Sequence, residues 1–137
     1  MEFEFNISGG DFSNAGQASS QIKKILKQLN VEPKLIKRTV VALYEAEVNI
    51  VAHAFSGHIR VSIDTEKIDV VLTDKGPGIE SIDQAMQDGY STASEEVREM
   101  GFGAGMGLSN IKKNTDILNI TSEIDKGTMV HITNYLS

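Results

Sequence analysis

Three segments of the chain alternate apolar and polar side chains with a period of two residues, and this pattern limits the possible folds more than any other feature. They read EFEFNIS, HIRVSID and KIDVVLTD. Such alternation places the apolar side chains on one face of a half-buried strand. Two further strands are predicted near ILNITSEI and TMVHITNYL, on either side of a DKGT turn. The residues predicted to line the inner face are Phe3, Phe5, Ile7, Ile59, Val61, Ile63, Ile68, Val70 and Leu72.

Between the first two strands the spacing of apolar residues changes to that of a helix. In QIKKILKQLNV they recur at i, i+3, i+4 and i+7, which predicts an amphipathic helix ending near LNV. A second helix is predicted to begin at Pro33, because proline suits a first helical turn. It is predicted to run to about Phe55, with Gly57 as its C-terminal stop.

The predicted order of elements is strand, helix, helix, strand, strand, short helix, loop, helix, strand and strand. The short helix covers SIDQAMQ, and a long polar loop rich in glycine follows it. Since no repeat or linker interrupts this order, residues 1–137 are predicted to form a single domain. The expected fold is α+β, a two-layer sandwich in which a mostly antiparallel, mixed sheet carries the helices on one face.

Composition excludes several classes of function. The net charge of −6, from 19 acidic and 13 basic residues, disfavours non-specific binding to nucleic acids or anionic membranes. The absence of cysteine excludes disulfides, zinc fingers and thiol catalysis. No apolar run approaches the length of about 20 residues that a membrane span needs, and the acidic N-terminus is unlike a signal peptide. A soluble cytoplasmic domain is expected.

An acidic residue and two glycines follow the third predicted strand, in DKGPGI at residues 74–79. The simplest interpretation is a tight connection, because a Pro-Gly pair is a turn signal and Asp74 can cap the next helix. Glycine pairs also suit phosphate, but a carboxylate repels phosphate and accepts hydrogen bonds from amino groups. If the motif binds a ligand, it favours one that carries an amino group.

A second glycine-rich stretch, GFGAGMGLSNIKK, has glycine at every other position from 101 to 107 and leads into a predicted helix. Alternating glycines allow close approach of the backbone to a ligand, and a helix N-terminus offers N–H donors to phosphate. The stretch lacks the Gly-Lys-Ser/Thr of a Walker A loop and the spacing of a dinucleotide fingerprint. Residues 89–107 are predicted to form a mobile lid that nucleotide orders, the alternative being a flexible loop without a ligand.

The second predicted helix contains a polar stripe in ALYEAEVNIVAHAF. Glu45, Asn49 and His53 are spaced at i, i+4 and i+8, so they lie on one face. A solvated face at the border of the core is one interpretation. Small neighbouring alanines favour another, in which the amide oxygen of Asn49 binds Mg²⁺ beside a carboxylate. Taken together, an amino-binding acid, a phosphate-binding glycine loop and a magnesium ligand predict ATP as the ligand.

Four motifs in this order, EAEVN, DKGPGI, GAGMGL and the Gly-Thr pair at Gly127 and Thr128, resemble the N box, the two glycine boxes and the terminal box of the GHKL ATPases. That superfamily holds gyrase, the mismatch-repair and heat-shock ATPases, histidine-kinase catalytic domains and the anti-sigma-factor serine kinases. The resemblance covers essentially the whole chain. AMQDGYSTAS is similar to a stretch of the switch-type serine kinases, so these small bacterial regulators resemble the chain most.

The resemblance implies a role for each matching residue. Glu45 is expected to be the general base on a substrate serine, Asn49 the Mg²⁺ ligand, and Asp74 the acceptor of the adenine amino group. Thr128 is expected to support the site of Asp74. The residues expected to form the adenine wall are Gly76, Gly78 and Ile79, and those expected to wrap the phosphates are Gly103, Gly105, Met106, Gly107 and Leu108.

The resemblance also implies partners. The expected substrate is a STAS-domain antagonist protein, a sigma factor is a possible competing partner, and a homodimer is expected. Two alternatives stay open: an ATP-binding regulatory module without kinase activity, and a stand-alone histidine-kinase catalytic domain. Against the second, one strand and the start of two helices are predicted to fill the residues before Glu45, so a dimerisation helix with a phosphoacceptor histidine is not expected among them.

Overall fold

The structure is a computed structural model that describes residues 1–79, 81–82, 86 and 107–136. Within these residues the chain forms five strands and three α-helices, with one 3₁₀ turn at Phe12–Asn14. The elements in chain order are β1 (Glu2–Ser8), α1 (Gln17–Gln28), α2 (Pro33–His53), β2 (Ser56–Ile63), β3 (Lys67–Lys75), α3 (Gly107–Lys113), β4 (Ile117–Glu123) and β5 (Gly127–Tyr135).

The five strands form one sheet in the order β1-β2-β3-β5-β4, and all four pairings are antiparallel. Strands that follow one another along the chain are neighbours in the sheet, with one exception. β3 and β4 are not paired, and β3 pairs with β5 instead. As a result, the ends of β3 and of the β4–β5 hairpin lie side by side.

The core lies between one face of the sheet and the helices, which confirms the predicted two-layer α+β sandwich. The predicted inner rows of β2 and β3 are buried, and the three apolar residues of β1 pack against them. From the other layer, α1 and α2 contribute Ile22, Leu26, Leu43 and Ile50. Burial of side chains of this size stabilises a domain by about 1.5–3 kcal/mol each, so this layer fixes α2 on the sheet.

The predicted end of α2 is wrong by two residues, and Gly57 is not its C-terminal stop. The helix ends at His53, because the backbone of Ala54 is already extended. The N–H of Phe55 then donates to the carbonyl oxygen of Lys75 at 2.8 Å, which starts the pairing of β2 with β3. Gly57 lies inside β2, opposite Asp74. The helix therefore ends because the chain begins to pair with β3, and not because of a local glycine signal.

Glu47 joins α1 to α2 and is fully buried. One of its carboxylate oxygens accepts from the N–H groups of Gly16 and Ala18, and the other accepts from the N–H and the hydroxyl of Ser19, all at 3.0–3.2 Å. Gly16 is the N-cap of α1 and supplies no side-chain cap. A carboxylate 28 to 31 residues along the chain thus replaces the missing cap.

Two further predictions concern the segment after β3. The N–H of Met86 donates to the carbonyl oxygen of Ile82 at 3.0 Å, which is the hydrogen bond of one helical turn within SIDQAMQ. Residues 83–85 and 87 of that predicted helix and the predicted lid, apart from Gly107, lie outside the described residues. In the part of the chain that is described, no helix is both long and apolar enough to cross a membrane.

Candidate functional site

The polar stripe of α2 lies at the border of the core, as the sequence pattern predicts. Glu45, Asn49 and His53 are all partly buried. Burial raises the pKa of Glu45, and a hydrogen bond from the side chain of Asn110 opposes that rise. Burial also lowers the pKa of His53. Glu45 therefore holds its proton more tightly than an exposed glutamate, and His53 releases its proton more readily than an exposed histidine.

The start of α3 packs against this stripe. A Cβ atom added to Gly107 would lie 2.9 Å from Oδ1 of Asn49, so the backbone of α3 touches the amide of Asn49 and no larger residue fits without a shift. Leu108 packs on the core, and Asn110 hydrogen-bonds to Glu45. The helix that follows the glycine loop is thus in contact with both predicted site residues of α2.

Asp74 lies at the end of β3 and is half-buried. Burial raises the pKa of its carboxyl, and a hydrogen bond from the N–H of Thr128 to Oδ1, at 3.1 Å, acts in the opposite direction. Among the described residues this is the one hydrogen bond to the side chain of Asp74. A partly desolvated carboxylate suits a hydrogen-bond donor such as an amino group as its ligand.

The turn between β4 and β5 holds the loop that follows Asp74. The N–H of Gly76 donates to the carbonyl oxygen of Lys126 at 3.3 Å, and the N–H of Asp125 donates to the carbonyl oxygen of Pro77 at 2.9 Å. Farther along, the N–H of Ile79 donates to Oγ of Ser122 at 2.7 Å. These three bonds tie the loop to the β4–β5 hairpin, two at its turn and one at the end of β4.

Two glycines of the site are required by the backbone. Gly78 has φ of +78°, and an added Cβ atom would lie 2.5 Å from the carbonyl oxygen of Glu123. Gly127 has φ of +149°, and an added Cβ atom would collide with the carbonyl oxygen of Asp74. Both positions combine a conformation that favours glycine with close backbone contact. The loop and the turn can therefore approach each other only with glycine at these positions.

The loop also meets the C-terminal end of α2. A Cβ atom added to Gly76 would lie 3.0 Å from Cα of Ala54. Ala54 follows Asn49 by five residues, which corresponds to about 7.5 Å along a helix. The fold thus gathers Glu45, Asn49, Asp74 and Thr128 at one end of the domain. The predicted site residues Gly76, Gly78, Ile79, Gly107 and Leu108 lie at the same end. Gly103, Gly105 and Met106 lie outside the described residues.

Sequence reasoning missed two residues of this region, Ser122 and Asn110. The hydroxyl of Ser122 bonds to Ile79, Gly127 and Thr128, at 2.7, 3.2 and 2.8 Å. A signal for it exists in the sequence, because Leu118, Ile120 and Ser122 form the inward row of β4 and the last of them is polar. The hydrogen bond of Asn110 to Glu45 has no comparable signal, since a single asparagine in a short helix is typical of a solvated face.

Comparison with known proteins identifies relatives over nearly the whole chain. Residues 11–134 match the family model described as histidine kinase-like ATPase domain. A protein named anti-sigma F factor from Caldanaerobacter subterraneus subsp. tengcongensis is 32% identical over 128 residues, which cover 90% of this chain and 86% of that protein. Another anti-sigma F factor, from Bacillus cytotoxicus, is 26% identical over 144 aligned positions, covering 100% of this chain and 95% of the relative.

Two solved structures share the fold. The structure of the RsbU and RsbW domains of Rv1364c from Mycobacterium tuberculosis superposes with a TM-score of 0.68 at 14% identity, over 99% of this chain and 32% of that one. The SiaB–SiaC complex from Pseudomonas aeruginosa gives a TM-score of 0.60 at 12% identity, over 97% of this chain and 89% of the other. At these identities the likeness establishes the fold alone, and it agrees with the predicted α+β sandwich.

Proposed function

The chain belongs to the GHKL-type, histidine kinase-like ATPase family, in the group of the anti-sigma F factors, and on this basis we propose that it is an ATP-dependent serine/threonine protein kinase of the anti-sigma-factor type. Its substrate in this proposal is a serine of a STAS-domain antagonist protein, and its role is to regulate transcription by partner switching. A sigma factor competes for the same kinase. We also infer a homodimer and a cytoplasmic location from the family resemblance.

The observation that most supports nucleotide binding is the arrangement around Asp74. Its carboxylate is half-buried, one oxygen is fixed by Thr128, and the backbone of Gly76 lies beside that oxygen. In the proposal Asp74 accepts a hydrogen bond from the adenine amino group, while Gly76, Gly78 and Ile79 form the wall against which the base packs. The arrangement combines a few polar groups in fixed positions with backbone that is itself held by hydrogen bonds, as is common in small-molecule binding sites.

The phosphates are proposed to lie at the start of α3. Gly107 and Leu108, with Gly103, Gly105 and Met106 from outside the described residues, would surround them. Asn49 is proposed to hold Mg²⁺, because an amide oxygen is a ligand that this ion accepts and the contact with Gly107 puts it where the glycine loop ends. Bound Mg²⁺ neutralises the charge of the phosphates during transfer.

Glu45 is proposed to act as the general base. In the reaction a serine oxygen forms a bond to the γ-phosphorus, the bond to the β–γ bridging oxygen breaks and ADP leaves, while the serine proton passes to Glu45. Burial raises the pKa of this carboxyl, and a base is most effective when its pKa lies near the working pH. Glu45 lies one helical turn before Asn49, about 6 Å along the helix axis, so one serine can approach both.

Phosphate transfer from γ-labelled ATP to purified candidate STAS-domain proteins of the same organism tests the proposal. Wild type is expected to label one serine, and Glu45→Gln to lower the rate by about 10²–10⁴-fold while ATP still binds. Glu66→Gln changes an exposed glutamate in the β2–β3 turn and is the matched control. Equal rates for Glu45→Gln and wild type would exclude Glu45 as the base.

The same assay separates the two alternatives. ATP binding without transfer to any co-purified protein would favour a regulatory module that uses ATP only as a conformational ligand. Acid-labile label on a histidine of a partner, in place of acid-stable phosphoserine, would indicate a histidine-kinase catalytic domain. Calorimetry that finds no ATP binding by the wild-type protein would contradict all three functions.

A further inference from the structure

Ser122 lies at the point where the inner row of β4 reaches the candidate nucleotide site. Leu118 and Ile120 precede it on the same face of the strand and pack on the core. Across the β4–β5 hairpin Ser122 pairs directly with Thr128, whose N–H holds Asp74. Ser122 is the polar member of this otherwise apolar row and the one that borders the site. Its hydroxyl can therefore form hydrogen bonds with residues of the site.

The hydroxyl of Ser122 makes three hydrogen bonds, and only one assignment of protons satisfies them. The N–H of Ile79 is a donor and must give its hydrogen to Oγ of Ser122, at 2.7 Å. The carbonyl oxygen of Gly127 is an acceptor and must receive the hydroxyl hydrogen of Ser122, at 3.2 Å. A serine hydroxyl has one hydrogen and two lone pairs. The bond to Oγ1 of Thr128, at 2.8 Å, therefore uses the second lone pair, and Thr128 is its donor.

This assignment fixes the polarity of Thr128. Because its hydroxyl hydrogen is given to Ser122, Oγ1 of Thr128 offers only lone pairs to a ligand. The neighbouring side chain of Asp74, when ionised, also offers only lone pairs. Two acceptors side by side suit an amino group, which has two hydrogens. They repel a carbonyl oxygen at the same place, since neither acceptor has a hydrogen to donate.

We propose that Ser122 is a specificity-determining residue, which makes the site select a 6-amino purine over a 6-oxo purine by holding the hydroxyl of Thr128 as an acceptor. Ser122 does not touch the base and acts through Thr128 and through the backbone of Ile79. The inference rests on the proposed binding of adenine nucleotide, and it adds a residue and a mechanism of selection to that site.

Calorimetric titration with ATP and with inosine triphosphate, which differs at the 6-position and the adjoining ring nitrogen, tests the proposal. Wild type is expected to bind ATP at least about 100-fold more tightly, because a site built to pair with a donor strongly rejects an analogue that lacks it. In Ser122→Ala the hydroxyl of Thr128 is released and can donate to a 6-oxo group. The ratio of the two dissociation constants is expected to fall at least tenfold.

Two variants serve as controls. Ser122→Thr keeps a hydroxyl and is expected to retain the wild-type ratio. Thr121→Ala alters the neighbouring residue, which is exposed on the opposite face of β4, and is also expected to retain it. If Ser122→Ala does not fold, Ser122→Cys replaces it: a thiol is a weak donor and acceptor, so the ratio is expected to fall by several-fold.

The outcomes separate this inference from the proposed function. A wild-type protein that binds neither nucleotide would contradict the adenine site itself. If wild type selects ATP and the Ser122 variants weaken both nucleotides equally, the ratio is unchanged and Ser122 has a structural role only, which overturns the inference. A lowered ratio in Ser122→Ala that Ser122→Thr restores supports it.

Discussion

Replacement of Glu47 by glutamine is expected to destabilise the protein strongly although it changes only one non-hydrogen atom. The carboxylate receives two hydrogen bonds on each oxygen, from Gly16 and Ala18 on one side and from Ser19 on the other. A glutamine can accept on one side only, and its amide group faces donors on the other. The least costly orientation points the amide at Ser19, whose hydroxyl can turn and accept, but the N–H of Ser19 then loses its partner.

The magnitude follows from that count. A buried donor left without an acceptor costs about 1–3 kcal/mol, and the remaining bonds lose the strength that the charge gave them. We expect a loss of about 2–3 kcal/mol for Glu47→Gln, and about 4–5 kcal/mol for Glu47→Ala, which removes all four bonds and leaves a cavity. The total stability of a domain is about 5–15 kcal/mol, so the alanine variant is expected to be marginal.

Urea unfolding followed by circular dichroism measures this effect. With a slope of about 2 kcal/mol/M, the midpoint for Glu47→Gln is expected to fall by about 1 M at unchanged slope, and amide exchange at Ala18 and Ser19 is expected to accelerate. Glu45→Gln, two residues away on the same helix, is the matched control. Because burial disfavours the charge of Glu45, this control is expected to keep or raise stability at neutral pH. A Glu47→Gln protein within about 0.5 kcal/mol of wild type, which is the usual range of surface substitutions, would refute the capping role.

Three further predictions concern the candidate site. Asp74→Asn is expected to weaken ATP binding by about 1.5–3 kcal/mol, as for a lost hydrogen bond to a charged group. The stability of the free protein at pH 7 is not expected to fall. Unchanged ATP affinity in calorimetry would exclude Asp74 as the adenine acceptor. Burial raises the pKa of Asp74 in the folded protein above the ordinary value of 3.8. The protonated carboxyl therefore stabilises the folded protein relative to the ionised one, and this stabilisation is lost as pH rises through the raised pKa. The proposed hydrogen bond from the adenine amino group needs the ionised carboxyl, so ATP affinity is expected to weaken as pH falls through that same pKa. A pH dependence of ATP affinity that is the same in wild type and in Asp74→Asn would contradict this. Gly107→Ala is expected to displace the amide of Asn49, because the added methyl group would lie 2.9 Å from its Oδ1. The affinity for ATP measured with Mg²⁺ is expected to fall at least tenfold more than the affinity measured without Mg²⁺. An equal loss in both conditions would show that Asn49 is not the metal ligand.

Much of the fold could be predicted because periodicity is a local property of the chain. Alternation in EFEFNIS, HIRVSID and KIDVVLTD decides which side chains share a face, whatever the rest of the molecule does. The same is true of the helical spacing in α1 and of Pro33 at the start of α2. The candidate loop could also be located, because glycines with an acid at a strand end are a local signal. The predicted end of α2 is wrong, because the helix end depends on the hydrogen bond between Phe55 and Lys75 of β3 and not on Gly57.

The sequence by itself therefore determined the class of fold, the order of the strands and helices along the chain, and the segments that form the candidate site. Tertiary structure alone decided how those segments meet. It set β3 beside β5, gave α1 a cap from Glu47, and brought Ser122 within hydrogen-bonding distance of Ile79, 43 residues away. A local pattern states which face of an element is apolar, but a hydrogen bond between distant residues exists only once packing has fixed both of its ends. For that reason the acid that we propose as the ligand's acceptor could be named from the sequence, whereas the serine that we propose to set the polarity of Thr128 could not.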